Sequence, residues 1–152
     1  MESAEKWAGF LGAAKEHFKV ADHMAYVSLS ILKENRMLIQ IVAKLAESVR
    51  NLIKAFLHYE YHFKRIRLYR DPQMNLKVFS EKIGLKYLSK RDLENILKVL
   101  KIEKKHKEAP VEFVKKDTFV MLLGESYETL TIESVREFLN SVRVSLARFP
   151  CD

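Results

Sequence analysis

The sequence "MLIQIVAKLAESVRNLIKAFLHYEYHFKRI", residues 37–66, holds the stronger of two long helical patterns in this chain. Apolar residues recur in it at steps of three or four positions: Leu38, Ile41, Leu45, Val49, Leu52, Phe56, Tyr59, Phe63 and Ile66. Such steps keep apolar side chains on one face of an α-helix, because the helix has about 3.6 residues per turn. The stretch therefore predicts a long amphipathic helix with one buried face.

A first helical pattern precedes this stretch. Its apolar members are Trp7, Leu11, Ala14, Phe18, Ala21 and Ala25. The link between the two patterns, "KENR" at residues 33–36, is polar but lacks Gly and Pro. A short turn there would give an antiparallel helical hairpin, whereas one continuous bent helix is the alternative. The sequence leaves both interpretations open.

Start and stop signals beyond residue 70 predict three further helices. Asp71 followed by Pro72 is typical of a helix start, because proline fits the first helical position. Gly84 is typical of a helix end, since glycine readily adopts the left-handed conformation. Ser89 and Thr131 have side chains that cap helix N-termini, so each predicts another start.

Between the last two predicted helices the composition changes to a β-type pattern. The stretch "DTFVMLLGESYETLT", residues 117–131, has two short apolar or β-branched runs around Gly124 and Glu125. We therefore predict a mainly α fold: a bundle of about five helices, two long ones at the N-terminus, with a small β-hairpin before the C-terminal helix. Residues 1–152 are expected to form a single helical-bundle domain, a normal size for one hydrophobic core.

Composition favours a globular protein of a reducing compartment. The chain is 48% hydrophobic and 31% charged, which is ordinary for folded proteins. Its longest nearly apolar stretch, "MLIQIVAKLA", is shorter than the roughly 20 residues of a membrane-spanning helix. The single cysteine, Cys151, cannot form an internal disulfide. We expect a cytoplasmic protein without a transmembrane segment.

The charge is concentrated in the middle of the chain. The formal net charge is +7, but residues 36–109 hold 18 of the 27 Lys and Arg and 8 of the 20 acids, a balance of +10. A basic field attracts nucleic acid, acidic proteins or anionic surfaces. The middle of the chain is therefore where a binding partner is expected.

The stretch "HYEYHFKRIRLYR", residues 58–70, lies in this basic region and contains candidate binding residues. Helical spacing places a basic stripe on one face of the second helix, and further cations follow it: Arg50, Lys54, His58, His62, Lys64, Arg65, Arg67 and Arg70. These side chains are suited to phosphate contacts, and nearby tyrosines could stack on unpaired bases. The alternative is a solvated helix face without a ligand.

A metal site is the weaker hypothesis for the two histidines. His58 and His62 lie four residues apart, but Tyr59 stands where zinc proteases have a glutamate. Cations within a turn oppose a divalent metal, and no third ligand is apparent. A Glu103-x-x-His106 sequence is a single copy of a pattern that di-iron proteins use twice. No metal, cofactor or catalytic residue is assigned.

Two long amphipathic helices, a basic helical middle and a closing helix resemble the small helical-bundle domains known as HEPN, and are also similar to archaeal proteins without an assigned activity. The resemblance covers residues 3–70 and the last helix. It implies an RNA-cutting or nucleotide-binding function. The HEPN active site is an Arg followed by His after four to six residues, whereas the nearest pair here, Arg50 and His58, has seven residues between them.

Three functional hypotheses follow. The first is a non-enzymatic module whose basic middle binds RNA, another polyanion or an acidic protein. The second is a HEPN-like ribonuclease that uses Arg50 and His58. The third is a homodimeric structural protein without a ligand.

Overall fold

The computed structural model describes residues 2–150, with side chains from Lys6 onward, so Cys151 lies outside the described residues. Within that range the chain is mainly helical: five helices and one three-stranded antiparallel sheet that precedes the last helix. The predicted mainly α fold is therefore confirmed. Within the same range no helix combines the length and the apolar character needed to cross a membrane.

The first two helices form an antiparallel hairpin. Helix α1, residues 2–32, runs through α-helical Glu2–His23, π-helical Met24–Ser28 and α-helical Leu29–Leu32. Helix α2 is Met37–His62. Lys33 ends α1 in the left-handed conformation, with φ 52°, and its N–H donates to the carbonyl of Leu29 at 2.7 Å. This turn within "KENR" resolves the alternative between a hairpin and one bent helix.

Helix α2 lies at the centre of the molecule and packs against α1 and both later long helices. The predicted apolar stripe is fully buried from Leu38 to Phe56. The end of the pattern is different, because α2 ends at His62 and Phe63 is half exposed beyond it. The Phe56 ring contacts the rings of Phe79, Tyr87 and Phe149, so one apolar cluster joins distant parts of the chain.

Helix α3 covers residues 72–87 and continues past the predicted stop at Gly84. It runs through Pro72–Val78, a π-helical turn Phe79–Ile83 and a last turn Gly84–Tyr87. Asp71 caps its start by accepting from the N–H of Gln73 at 2.9 Å, as predicted. The prediction of a stop at Gly84 is wrong, because Gly84 keeps helical angles and lies against Leu93, where a Cβ would come within 2.7 Å of both methyl groups.

Helix α4, Lys90–Glu108, and helix α5, Ile132–Ala147, begin at the predicted caps. The Ser89 hydroxyl accepts from the N–H of Asp92 at 3.1 Å. The Thr131 hydroxyl accepts from the N–H of Ser134 at 3.2 Å, and the Ser134 hydroxyl accepts from the N–H of Thr131. Both α4 and α5 pack against α2, so they complete the core around it.

The sheet contains the predicted hairpin and one strand more. Strands β1 Val111–Lys115, β2 Thr118–Leu123 and β3 Ser126–Leu130 lie in the order β1-β2-β3. The hairpin of β2 and β3 turns at Gly124, where φ is 77°. In the central strand Phe119 and Met121 are buried, so one face of the sheet packs on the helical core.

Candidate functional site

The structure divides the eight predicted binding residues between two places. Arg50, Lys54 and His58 project from α2 into a groove of about 920 Å³. The cations from Lys64 to Arg70 lie beyond the end of α2, on residues 61–70, which we call the basic–aromatic segment. His62, in the last turn of α2, packs its ring edge-on against Phe63 at 4.9 Å.

The groove, called here the α2–α4 groove, is formed by α2 and α4 with contributions from α1 and from residues 68–80. Its apolar lining consists of Phe10, Ile53, Leu57, Leu68, Pro72, Leu76, Leu97 and Leu100. Its charged lining consists of Arg50, Lys54, Lys101, Glu103 and Lys104. Because Lys54, Lys101 and Lys104 are exposed whereas Ile53 and Leu57 are buried, the groove has an apolar floor and a cationic rim.

Arg50, whose side chain is 41% exposed, is held by a buried carboxylate. Both of its terminal nitrogens donate to Glu103 of α4, with Nη2 at 3.4 Å from Oε2. Glu103 is only 7% exposed and also lies 3.6 Å from Lys107 Nζ. A buried carboxylate needs such partners, so Arg50 joins α2 to α4 and is less able to neutralise a ligand.

His58 and Lys54 both contact the ring of Phe10 at one end of the groove. The His58 ring lies 5.1 Å from the Phe10 ring, and Lys54 Nζ lies 5.6 Å from its centroid. Burial, together with the positive charges of Lys6 and Lys54, lowers the pKa of His58 below its ordinary value of 6.5. The imidazole is therefore neutral at physiological pH and can offer one donor and one acceptor.

Arg65 has a structural partner of its own. Glu60 is 2% exposed and accepts from Arg65 Nε, from Lys86 Nζ at 2.7 Å and from the Tyr87 hydroxyl at 3.2 Å. Burial alone would raise the pKa of the Glu60 carboxyl, but the hydrogen bonds from Lys86 and Arg65 outweigh burial and hold that pKa below its ordinary value. The same hydrogen bond to Glu60 raises the pKa of Lys86.

The basic–aromatic segment keeps aromatic rings at the surface beside cations. Tyr61, Phe63 and Tyr69 are 47%, 50% and 40% exposed. The Arg65 guanidinium lies 4.8 Å from the centroid of Phe63, and that of Arg67 lies 5.9 Å from the centroid of Tyr69. Phe63 and Tyr69 are therefore partly exposed and each packs against a cation, while Tyr61 is exposed in the last turn of α2.

Two local features give the segment a defined backbone. Lys64 adopts the left-handed conformation with φ 59°, which turns the chain away from α2. Asn75 of α3 fixes the backbone near the C-terminal end of the segment. Its side-chain NH₂ donates to the carbonyl of Tyr69, and its side-chain oxygen accepts from the N–H of Tyr69, both at 2.8 Å. The segment is thereby attached at both ends to helices.

A small basic pocket of about 240 Å³ lies within this segment. It is lined by Lys64, Arg65, Ile66, Arg67, Tyr69, Val78 and Lys82. Four of these described lining residues are cations and none is an acid. Such a pocket is suited to an anionic group such as phosphate.

The sequence analysis did not identify three cations that line the α2–α4 groove or the small basic pocket. Lys101 and Lys104 line the groove from α4, and Lys82 lines the small pocket from α3. The cationic end of α4 was visible in "KIEKKHKE", and the three-residue step from Lys101 to Lys104 places both on one helical face. Which helix that face would oppose could not be predicted.

Among the residues whose side chains are described, no group of three or more His, Cys, Asp or Glu converges as a metal site. Arg50 and His58 both line the groove, but seven residues of α2 lie between them, so their positions differ by a rise of about 12 Å along the helix. Comparisons with models of protein families, with curated proteins and with solved structures found no match to this chain.

Proposed function

We propose that the protein is a non-enzymatic module that binds single-stranded nucleic acid through the basic–aromatic segment. One observation carries the proposal: three exposed aromatic rings and four cations lie within residues 61–70. Unpaired bases stack on aromatic side chains, and phosphates are neutralised by Lys and Arg. The segment offers both kinds of contact in the same ten residues.

The exposure of Phe63 and Tyr61 supports stacking over the alternative of core packing. Tyr59, one turn earlier, packs its ring against Trp7 at 5.5 Å and is partly buried, as a seam residue would be. Phe63 and Tyr61 instead leave about half of their surface accessible to solvent. Exposed rings beside cations favour an interaction surface, since a purely solvating face needs no aromatic residue.

The small basic pocket supports the phosphate part of the proposal. Lys64, Arg67 and Lys82 are exposed and line a concave surface that holds no acid among its described residues. Arg65 contributes charge there while its guanidinium stays bound to Glu60. The exposed cations are therefore the ones expected to release counterions on binding.

The two other hypotheses stay predictions. A HEPN-like ribonuclease would require Arg50 and His58 to act together across the groove. A homodimeric structural protein would require no ligand. Neither gains a specific supporting contact, whereas the basic–aromatic segment has the composition that binding of a single strand requires.

The test uses a triple variant, K64E/R67E/R70E, and a fluorescein-labelled single-stranded RNA of about 12 nucleotides. Fluorescence anisotropy measured over a salt series should show binding by the wild-type protein that weakens steeply with salt. Three lost phosphate contacts should make the log–log slope less steep by about 2. Arg65 is left unchanged because Glu60 holds it.

The matched control is K15E/K90E/K115E, which makes the same change in net charge at exposed lysines outside both pockets. It should keep most of the affinity and the salt slope of the wild type. Equal binding by the wild type and K64E/R67E/R70E, with both folded by circular dichroism, would remove the segment as the nucleic-acid site.

A further inference from the structure

We propose that the α2–α4 groove binds an acidic amphipathic helix of a partner protein. The inference does not rest on nucleic-acid binding, because its cationic rim, Lys54, Lys101 and Lys104, lies outside the basic–aromatic segment, although Leu68 and Tyr69 of that segment also line the groove. The groove has a volume of about 920 Å³ and an apolar floor that includes Leu57, Leu76 and Leu97. A helix-in-groove complex is built in this way, with the apolar face of one helix lying on apolar side chains of the other protein.

The length of the groove suits two turns of helix. Its walls extend along residues 50–58 of α2 and residues 97–104 of α4. At about 1.5 Å per residue these walls are about 10–12 Å long. Apolar side chains at positions i, i+4 and i+7 of a bound helix span about 10 Å, so three anchoring side chains fit along the floor.

The charge of the rim selects an acidic partner. Lys54 stands on one wall, and Lys101 and Lys104 stand on the other. Glu103 is the one acid among the described residues of the lining, and it accepts hydrogen bonds from Arg50. The rim therefore keeps an uncompensated positive charge on both sides, which complements Asp and Glu flanking an apolar stripe.

The aliphatic floor argues against nucleic acid in this groove. Stacking needs an open aromatic face, and the apolar lining between the two walls is mostly aliphatic, with Tyr69 lining both this groove and the small basic pocket. Phe10 lies at one end, where the His58 ring packs against it at 5.1 Å. Nucleic acid is therefore expected at the basic–aromatic segment and an acidic helix in the groove.

The experiment uses a fluorescein-labelled synthetic peptide of about 16 residues that can form an amphipathic helix. Leucines recur in it at steps of four and three, and Asp and Glu occupy the flanking positions. A second peptide of the same composition has its order scrambled so that no apolar stripe forms. Anisotropy should show that the wild-type protein binds the first peptide and not the second.

A rim variant, K54E/K101E/K104E, should weaken binding of the amphipathic peptide by about tenfold, because three ion pairs across the rim become repulsive. The control K15E/K90E/K115E should leave the affinity within about twofold. Circular dichroism checks that both variants are folded, which is expected because the substituted lysines are exposed.

Three results would overturn the proposal. Equal affinity for the amphipathic and scrambled peptides would remove the apolar floor from recognition. Displacement of the peptide by single-stranded RNA, with RNA binding lost in K54E/K101E/K104E, would make nucleic acid the occupant. A wild-type protein that sediments as a dimer while the rim variant is monomeric would make a second copy of the chain the occupant. The variant K64E/R67E/R70E should still bind the peptide, so this test is separate from that of RNA binding.

Discussion

At the scale of single residues, Glu60 determines how the basic–aromatic segment leaves α2. Its buried carboxylate accepts from Arg65 just beyond the helix and from Lys86 and Tyr87 of α3. One side chain thereby joins the end of α2, the start of the segment and the end of α3. The role of Glu60 could not be predicted from the sequence, because nothing in its spacing indicates that Lys86 and Tyr87 will face it.

Replacing Glu60 with Gln should lower the free energy of unfolding by about 2 kcal/mol, because the buried group loses its charge-assisted hydrogen bonds. The folded-state pKa of Glu60 is lowered, so its stabilisation is present above its ordinary value of 4.5 and is lost as pH falls through the lower folded value. Urea unfolding at neutral and acidic pH should therefore show a difference between wild type and E60Q that shrinks in acid.

The control is E137Q, which removes an acid paired with Arg91 at the surface. Exposed pairs contribute little, so this variant should stay within about 0.5 kcal/mol of the wild type. An E60Q protein as stable as E137Q would show that the buried cluster does not stabilise the segment.

A second pH dependence of stability is expected from His58. Here burial and neighbouring cations disfavour the charged form, whereas at Glu60 hydrogen bonds favour it. Its folded-state pKa lies below 6.5, so the unfolded chain binds the proton more readily and stability falls as pH drops below that value. H58Q cannot titrate there and should lose less stability between about pH 7 and about pH 5. Thermal unfolding of both proteins across that range measures the difference, and parallel curves would contradict the assignment.

At the scale of elements, α3 shows how a tertiary contact overrides a local stop signal. Gly84 is of a residue type that often ends helices, but here it lies inside the helix. Its missing Cβ lets Leu93 of α4 approach. The caps at Asp71, Ser89 and Thr131 were predictable because each side chain accepts from a backbone N–H two or three residues ahead, a contact that is local in the sequence.

Two glycine substitutions should therefore change stability in opposite directions. G12A, at an exposed position of α1 with open space around the new Cβ, should stabilise the fold by about 0.5–1 kcal/mol. G84A should destabilise it by about 1 kcal/mol, because crowding of buried Leu93 outweighs the gain in helix propensity. Urea unfolding measures the free energy of unfolding of both variants. A G84A variant more stable than the wild type would contradict the prediction and would mean that Leu93 moves at little cost.

The sequence analysis did not predict strand β1, because that strand depends on pairing with another element. Its sequence, "VEFVK", begins after Ala109 and Pro110 at the cationic end of α4, and its link to β2, Lys116-Asp117, contains no Gly or Pro typical of a hairpin turn. The strand forms because β2 offers a free edge, on which Phe113 pairs with Val120.

At the scale of the whole molecule, periodicity predicted the helices and their buried faces but not the sites. The α2–α4 groove needs residues 50–58 and 97–104 on facing walls, and no local pattern shows that α4 will oppose α2 at that height. The pairing of Arg50 with Glu103 could not be predicted for the same reason, because it also joins α2 to α4. The basic–aromatic segment was more accessible to prediction, because it is contiguous in the sequence.

The contact of the last helix with the first has a consequence for the order of events during synthesis. Phe149 packs against Trp7, Phe56 and Tyr59, and α5 lies against both members of the N-terminal hairpin. Sixty-nine residues lie between the end of α2 at His62 and the start of α5 at Ile132. At about 5–20 residues per second, a ribosome needs about 4–14 s to make them. During that time α5 does not yet cover its part of the hairpin's apolar face, so we expect the nascent chain to expose apolar surface of the kind that chaperones bind.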